Sequence, residues 1–346
     1  MKNNTFRLSR VKRRKSKNNI FKWILLSVLF ILLGVSVFAG YTTWKINKFI
    51  EKTTEPPIDK PINDNPSAEE TKPMEELPFG MLLIGLDYRP ETGSMNTDAL
   101  IISIWNPETK EVNLLSIPRD TRVVVPDYGE MKVNAVYSIG EKEKRKQEEQ
   151  GLTPTINGPY LLMEVLSDYF DIPVKYYARV DFKGFELIID ELGGVEVYVD
   201  RDMLYYSAKD GTNINLHKGL QVLDGKNALD FARFRRSADG NDSSDFERNE
   251  RQQKILKSLS DKISSIKGFS NIFDILDIAG DHLRTNFSPD EMKAVFWKYK
   301  SLRPDNIQTI KMESYWKNPF VYVDDNEVQR VKDELNKAFG DIDYEE

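Results

Sequence analysis

Residues 79–120 read FGMLLIGLDYRPETGSMNTDALIISIWNPETKEVNLLSIPRD, and this stretch decides the fold. Phe79–Asp87 is a continuous apolar run ending in a polar turn, the pattern of a buried strand. Ala99–Trp105 is a second such run and Glu111–Ile117 a third. The link Asn106-Pro107-Glu108-Thr109-Lys110 is a tight turn, so the second and third strands are expected to be antiparallel. Further along, Asn157–Phe170 carries Leu161, Leu162, Val165, Leu166 and Tyr169 at a helical period. Tyr176–Val180 and Val195–Val199 read as strands flanking a helical Phe182–Leu192, with Gly193-Gly194 as the turn after it. Leu223–Ala232, Asp245–Ile266, Pro289–Lys300 and Asn326–Phe339 read as further helices. Strands interleaved with helices predict an α/β domain whose sheet is covered on both faces. The charged run Glu141–Gln150 reads as a solvated insertion.

The whole chain has 346 residues, no cysteine, and two histidines, His217 and His282. That excludes a thiol nucleophile, a CxxC redox pair and a cysteine zinc site, and it argues against a histidine-rich metal centre. Charge is unevenly placed. Residues 1–50 hold 11 Lys/Arg and no Asp or Glu, while the remainder holds 38 basic and 55 acidic residues. Within the basic head, Trp23–Trp44 is 22 residues without a charge. As a helix it would span roughly 33 Å, enough for a hydrocarbon core of about 30 Å. Lys22 and Lys45 bracket it, and Trp23, Tyr41 and Trp44 stand where interfacial aromatics belong. The cluster Arg10, Lys12, Arg13, Arg14, Lys15 and Lys17 precedes it. The positive-inside rule places residues 1–22 in the cytoplasm as a basic tail and everything after residue 45 outside, on a single-pass membrane protein. A cleaved signal peptide ending near Val37-Phe38-Ala39 is the rival reading, but its apolar region would be too long. Residues 45–78 are expected to be a Pro-rich extracellular linker, with Pro56, Pro57, Pro61, Pro66, Pro73 and Pro78 among acidic residues in an extended spacer. A globular domain over 79–340 and an acidic tail over 341–346 complete the chain.

Familiar signatures are missing: there is no GxGxxG, Walker A loop, GxSxG elbow or HExxH. What remains is carboxylates and arginines at strand ends. Asp87 ends the first strand, Asp98 begins the second, and Arg119 follows the third. If the three strands form a meander, all three residues converge at one sheet edge. Two neighbouring carboxylates repel unless a proton or cation lies between them, and Mg2+ with oxygen ligands is the natural guest. The alternative is that both aspartates are turn formers or helix caps. A second cluster is Asp230-Phe231-Ala232-Arg233-Phe234-Arg235-Arg236. In an extended segment Arg233 and Arg235 point the same way. Ser244-Asp245-Phe246-Glu247 fits a capping box opening a long helix whose first turns carry Arg248, Arg251 and Gln252. Arg248 and Gln252 share a face. Guanidinium forks beside a helix N-terminus suit phosphate oxygens. A solvated salt-bridge surface with Asp242, Asp245 and Glu250 is the competing reading.

In this order the motifs resemble the LytR-CpsA-Psr family of bacterial cell-envelope proteins, especially members that transfer teichoic acid to peptidoglycan. The matching stretches are LLIGLDYR (82–89), TDALIISI (97–104), LLSIPRDTRV (114–123), KVNAVYSIG (132–140), YYARVDFKGFELIIDELGGVEVYV (176–199), GLQVLDGKNALDFARFRR (219–236) and DFERNERQQ (245–253). The resemblance implies a three-layer α-β-α sandwich with a central mixed sheet, enclosing an apolar tunnel for a polyprenyl chain and preceded by one transmembrane helix. It implies a phosphotransferase that moves a glycopolymer from a polyprenyl pyrophosphate carrier to a muramic acid hydroxyl of peptidoglycan, with Mg2+ (or Mn2+) beside the pyrophosphate. Carried over position by position, the metal-side aspartates are Asp87 and Asp98. The pyrophosphate-binding arginines are Arg119, Arg233, Arg235 and Arg248, with Gln252 beside them and Asp245 as a supporting acid. Asp87, Arg119, Arg233 and Arg235 are the catalytic set, and Arg89, Arg122 and Arg251 are further candidates within the motifs. The chain departs from the family pattern in the long polar loop SADGNDSSD (237–245) and in the charged stretch after Gly140. Both bear on acceptor or polymer preference.

The resulting expectation is electrostatic phosphoryl transfer on the outer face of a cell membrane, in a Gram-positive bacterium. Asp87 ligates the metal or accepts the hydroxyl proton; the residues alone leave both open. The rivals are a non-catalytic lipid-pyrophosphate binder acting as an envelope regulator and a polyprenyl-pyrophosphate pyrophosphatase. A DNA-binding regulator is disfavoured, and no nucleic-acid partner is expected, because the basic head is short and precedes an apolar helix.

Overall fold

A computed structural model of the chain describes residues 40–56, 58, 76–89, 94–207, 212–235, 237, 240, 242–263, 271–299 and 304–340. The chain divides into two compact units, residues 1–47 and 48–346. In the first unit the described residues, 40–47, are helical. Residues 23–39 of the expected membrane helix, the basic tail 1–22 and the acidic tail 341–346 lie outside the described residues. No helix among the described residues is long and apolar enough to cross a membrane.

After helical residues 48–53, the second unit carries in chain order β1 (Phe79–Arg89), β2 (Ser94–Asn106), β3 (Glu111–Ser116), β4 (Arg122–Val125), β5 (Gly129–Lys132), α1 (Val133–Glu149), α2 (Gly158–Phe170), β6 (Val174–Asp181), α3 (Phe182–Glu191), β7 (Val195–Val199), β8 (Met203–Ser207), β9 (Thr212–Leu216), β10 (Gly219–Leu223), α4 (Gly225–Arg233), α5 (Asp245–Ile263), α6 (Ile272–His282), β11 (Leu283–Thr285), α7 (Pro289–Tyr299), β12 (Ile307–Ile310), β13 (Tyr315–Lys317), β14 (Phe320–Tyr322) and α8 (Asp325–Phe339). Six strands form one sheet in the order β11-β6-β1-β2-β3-β12. The run 79–117 is the antiparallel meander its turn implied, while β6 joins β1 and β12 joins β3 in parallel, so the sheet is mixed.

Strand alternation sorts the side chains into two cores. Leu82, Ile84, Leu100, Ile102 and Leu115 face α1, α2 and α8 through residues such as Val136, Leu166 and Leu335. Met81, Leu83, Ile101 and Leu114 turn to the opposite face, where Leu256 of α5 and Met292 of α7 lie. Helices therefore cover both faces in an α-β-α arrangement. A further core joins Ile189 of α3, Ala228 and Phe231 of α4 and Ile255 of α5 to the small ribbons β7–β10 and β8–β9.

Three local expectations are refined. The charged run Glu141–Gln150 is helical: α1 continues unbroken to Glu149. Its charges are a solvated helix face, with Lys144–Glu148 and Glu143–Lys146 pairs one turn apart. Gly140 is where α1 meets α2, since a Cβ there would lie 2.3 Å from the Asn157 carbonyl oxygen. Second, Arg233 ends helix α4 and does not share an extended segment with Arg235, because the backbone changes conformation only at Phe234. Third, the spacer does not begin at residue 45. Residues 48–55 belong to the folded unit, with the Glu55 N–H donating to the Thr285 carbonyl at 2.8 Å. The Glu55 carboxylate pairs with Arg179 and accepts from the Tyr177 hydroxyl. Burial opposes its ionisation, but Arg179 and Tyr177 outweigh that and hold the carboxyl below its ordinary range.

Candidate active site

The meander brings its three polar ends to one edge. A bulge does the rest: Gly85 pairs with Ala99 and Leu86 with Thr97, leaving Asp98 without an opposing residue. Such an extra residue re-aims its side chain. The Asp98 carboxylate accepts from Arg119 Nη1 at 2.8 Å and lies 3.5 Å from Arg233 Nη2. Arg233 Nη2 also stands 3.4 Å from Asp87, which is buried. Arg233 thus bridges the two carboxylates, arriving from α4 with its guanidinium 4.5 Å from the centre of the Phe182 ring. Arg119 is fixed by the turn after β3. Thr121 donates its N–H and its hydroxyl to the Pro118 carbonyl, and the Arg119 carbonyl accepts from the Asn134 N–H.

Arg235 takes a different partner from Arg233. Its Nη1 lies 3.6 Å from Asp120, a buried carboxylate that also meets Lys132 Nζ at 3.1 Å. The capping box is present: the Ser244 N–H donates to Glu247 at 2.8 Å and the Glu247 N–H donates to Ser244 Oγ at 3.2 Å. It starts α5, on which buried Arg248 lies one turn before Gln252.

Asp98, Arg179, Arg233 and Gln252 are the charged and amide residues lining an otherwise apolar cavity of about 190 Å³. Its walls come from Leu83, Ile101, Phe185, Leu229, Ile255 and Leu283, contributed by the sheet and by α3, α4, α5 and β11. Gly85 and Ala99 form part of its floor, where a Cβ on Gly85 would stand 3.0 Å from the Ala99 methyl. Small residues keep the sheet surface low there, and the cavity exists because of it. An apolar cavity whose lining also holds two guanidiniums suits an amphiphile with a hydrocarbon tail and a phosphate head.

Other candidates lie elsewhere. Arg122 pairs with Glu130 inside the β4–β5 hairpin, Nε to Oε2 at 3.0 Å. Arg251 is 1% exposed and forks onto Asp200 at 2.8 and 2.7 Å. Its remaining Nη1 donates to Ser243 Oγ at 2.7 Å and the Phe234 carbonyl at 3.3 Å. Arg251 therefore holds the loop that carries Arg235. Burial opposes ionisation of Asp200, but Arg251 and Arg201 overcome it and hold its carboxyl down at about 2. The side chains of Arg89 and Asp245 lie outside the described residues. Sequence reasoning missed Asp120, Lys132 and Asp200. Asp120 could have been found from its place directly after Arg119 at a strand exit; nothing local marks Asp200. As for a metal, no group of three or more ligating side chains occurs among the described residues. Two adjacent carboxylates do fit Mg2+, which commonly takes one or two protein carboxylates and completes its shell with phosphate oxygens and water.

A model of the LytR_cpsA_psr family matches residues 45–337. The polyisoprenyl-teichoic acid–peptidoglycan teichoic acid transferase TagT of Bacillus subtilis (strain 168) is 27% identical over 344 residues, spanning 96% of this chain and 99% of its own. The corresponding transferase TagV of the same organism is 32% identical over 300 residues, 85% of this chain and 71% of its own. The crystal structure of B. subtilis TagV superposes with a TM-score of 0.59 at 30% identity, covering 77% of this chain and 98% of that one. TagT bound to LI-WTA gives 0.57 at 26% identity, covering 77% and 92%.

Proposed function

Because this chain belongs to the LytR-CpsA-Psr family, we propose that it is a glycopolymer phosphotransferase, moving a polymer of the teichoic acid class from a polyprenyl pyrophosphate carrier to peptidoglycan. One observation carries the reading: a largely apolar cavity is lined by Asp98 and by the arginine that bridges Asp98 to Asp87. In this reading the prenyl tail fills the cavity. Arg119, Arg233, Arg235, Arg248 and Gln252 hold the pyrophosphate.

The acceptor hydroxyl attacks the phosphorus that bears the glycan. A new P–O bond forms as the bond to the bridging oxygen breaks, and polyprenyl phosphate leaves with the electron pair. Arg233 exchanges its carboxylate contacts for phosphate oxygens, which frees Asp87 to take the acceptor proton. The arginines stabilise charge developing on the bridging and equatorial oxygens. Mg2+ (or Mn2+), held by Asp87 and Asp98, would supply positive charge beside the phosphates. A divalent cation and a pyrophosphate diester entering together add no net charge to the cluster. The chain is anchored by a helix over 23–44 with its N-terminus in the cytoplasm and the catalytic domain on the outer face of a Gram-positive membrane. The charge asymmetry of the first 50 residues supports that topology.

The test mixes the full-length chain in detergent with a lipid-pyrophosphate-linked glycan, Mg2+ and a peptidoglycan oligomer. Mass spectrometry should find a metal-dependent conjugate together with polyprenyl monophosphate. Lipid binding without conjugate, across several glycans and acceptors, would overturn the transferase reading in favour of a binder.

A further inference from the structure

We propose that the hairpin β13–β14 is a glycan subsite that stacks a pyranose ring of the acceptor on Trp316. The proposal rests on the transferase reading and adds the place where the acceptor is gripped. Asp120, the partner of Arg235, is tied to this hairpin twice: the Val321 N–H donates to the Asp120 carbonyl at 2.8 Å, and Thr121 bridges to Val321. Lys132, whose ammonium meets the Asp120 carboxylate at 3.1 Å, also sits 5.3 Å from the centre of the Trp316 ring. Unbroken contacts therefore run from a phosphate-side arginine through Asp120 and Lys132 to an indole. The whole path lies within the reach of a short oligosaccharide.

Trp316 is 50% exposed, so an indole presents apolar surface to solvent beside the Lys132 ammonium. Aromatic faces next to hydrogen-bonding groups suit a sugar, whose C–H face stacks while its hydroxyls find polar partners. Lys132 contacts the ring, while Tyr315 stacks on Tyr322 on the opposite face of the hairpin.

Position selects the acceptor over the donor polymer. The leaving prenyl phosphate departs toward the cavity, which Asp98, Arg233 and Gln252 help to line. In-line displacement brings the nucleophile from the opposite side. Trp316 belongs to the Asp120–Arg235 side of the cluster and does not line the cavity.

The experiment compares full-length wild type, Trp316→Ala and Trp316→Phe. It measures transfer against varied acceptor and varied donor, and separately the binding of a soluble peptidoglycan tetrasaccharide by calorimetry. Loss of the stacking face should raise the acceptor KM and the tetrasaccharide Kd by about fivefold or more, leave the donor KM within about twofold, and be largely restored by phenylalanine. Lys132→Gln, which keeps the ring, is the second variant and should raise the acceptor KM more weakly. An unchanged acceptor KM and tetrasaccharide Kd in Trp316→Ala would overturn the subsite while leaving the transferase intact. A rise confined to the donor KM would overturn the acceptor assignment. If wild type forms no conjugate, the transferase reading fails. Weaker tetrasaccharide binding by Trp316→Ala would then still support a glycan site at this hairpin, and unchanged binding would remove it.

Discussion

Replacing Asp200 by asparagine removes the carboxylate that the buried Arg251 guanidinium grips through two hydrogen bonds. The consequence can be worked from the acid–base balance. The Asp200 carboxyl is held at about 2 against an ordinary 3.8. At 1.36 kcal/mol per pH unit that difference is about 2.5 kcal/mol, and partial solvent access to Asp200 brings it nearer 2 kcal/mol. The sign follows from linkage. A carboxyl depressed in the folded state contributes its full stability above the unfolded pKa near 4 and loses it as pH falls toward 2. In a body of this size about 2 kcal/mol corresponds to a melting shift of about 3 °C. The assay is intrinsic-fluorescence melting of full-length wild type and Asp200→Asn in one detergent at pH 7, 5 and 3. The difference should be constant between pH 7 and 5 and fall to about half at pH 3. Because Arg251 also holds Ser243 and the Phe234 carbonyl, transfer activity should drop further than the melting shift alone explains. Equal midpoints at pH 7, or a gap that does not narrow at pH 3, would refute the reasoning.

Three further outcomes are expected. Arg119→Ala should reduce the transfer rate by about 10²- to 10³-fold with its melting midpoint nearly kept, since the guanidinium is part-exposed and acts on developing charge; near-normal transfer would remove the arginine clamp. Ala99→Leu, on the cavity floor, should raise the KM for a long-chain carrier by at least about tenfold while a short-chain pyrophosphate analogue is spared, as steady-state kinetics on both carriers would show. Metal binding followed by calorimetry should be at least about tenfold tighter with the pyrophosphate carrier present than without it, and Asp98→Asn should erase the gain; equal affinity in both conditions would count against two carboxylates that need substrate oxygens to complete the shell.

The central strands and most helices were legible because their apolar periods are strong and their turns are marked. The run 79–117 is the clearest case: its turn chemistry predicted the antiparallel pairing of the second and third strands, and the meander with its bulge brought Asp87, Asp98 and Arg119 to one edge. The bulge that aims Asp98 was not legible, since a one-residue slip in pairing leaves no local trace in TDALIISI. Arg233 was misplaced because an arginine at a helix C-terminus and one in an extended segment look alike when an apolar residue follows each. The helix through Glu141–Glu149 was hidden by its charge, which removes the apolar stripe that periodicity detects. Ribbons β8–β9 and β13–β14 escaped notice because strands of three to five residues carry too little pattern. Asp120 and Asp200 take their meaning from partners far away in sequence, Arg235 and Arg251.

The docking of Glu55 changes what the proline-rich stretch is. Residue 55 is fastened to β11 and β6, and residue 79 opens β1, the strand beside β6. Both ends of the intervening segment are tied to one folded unit, so an insertion there would only enlarge a loop, at the slow logarithmic entropy of closure, roughly 0.6 kcal/mol per doubling. Evolution, or an engineer, can lengthen or decorate this loop without moving the Glu55 dock or the start of β1.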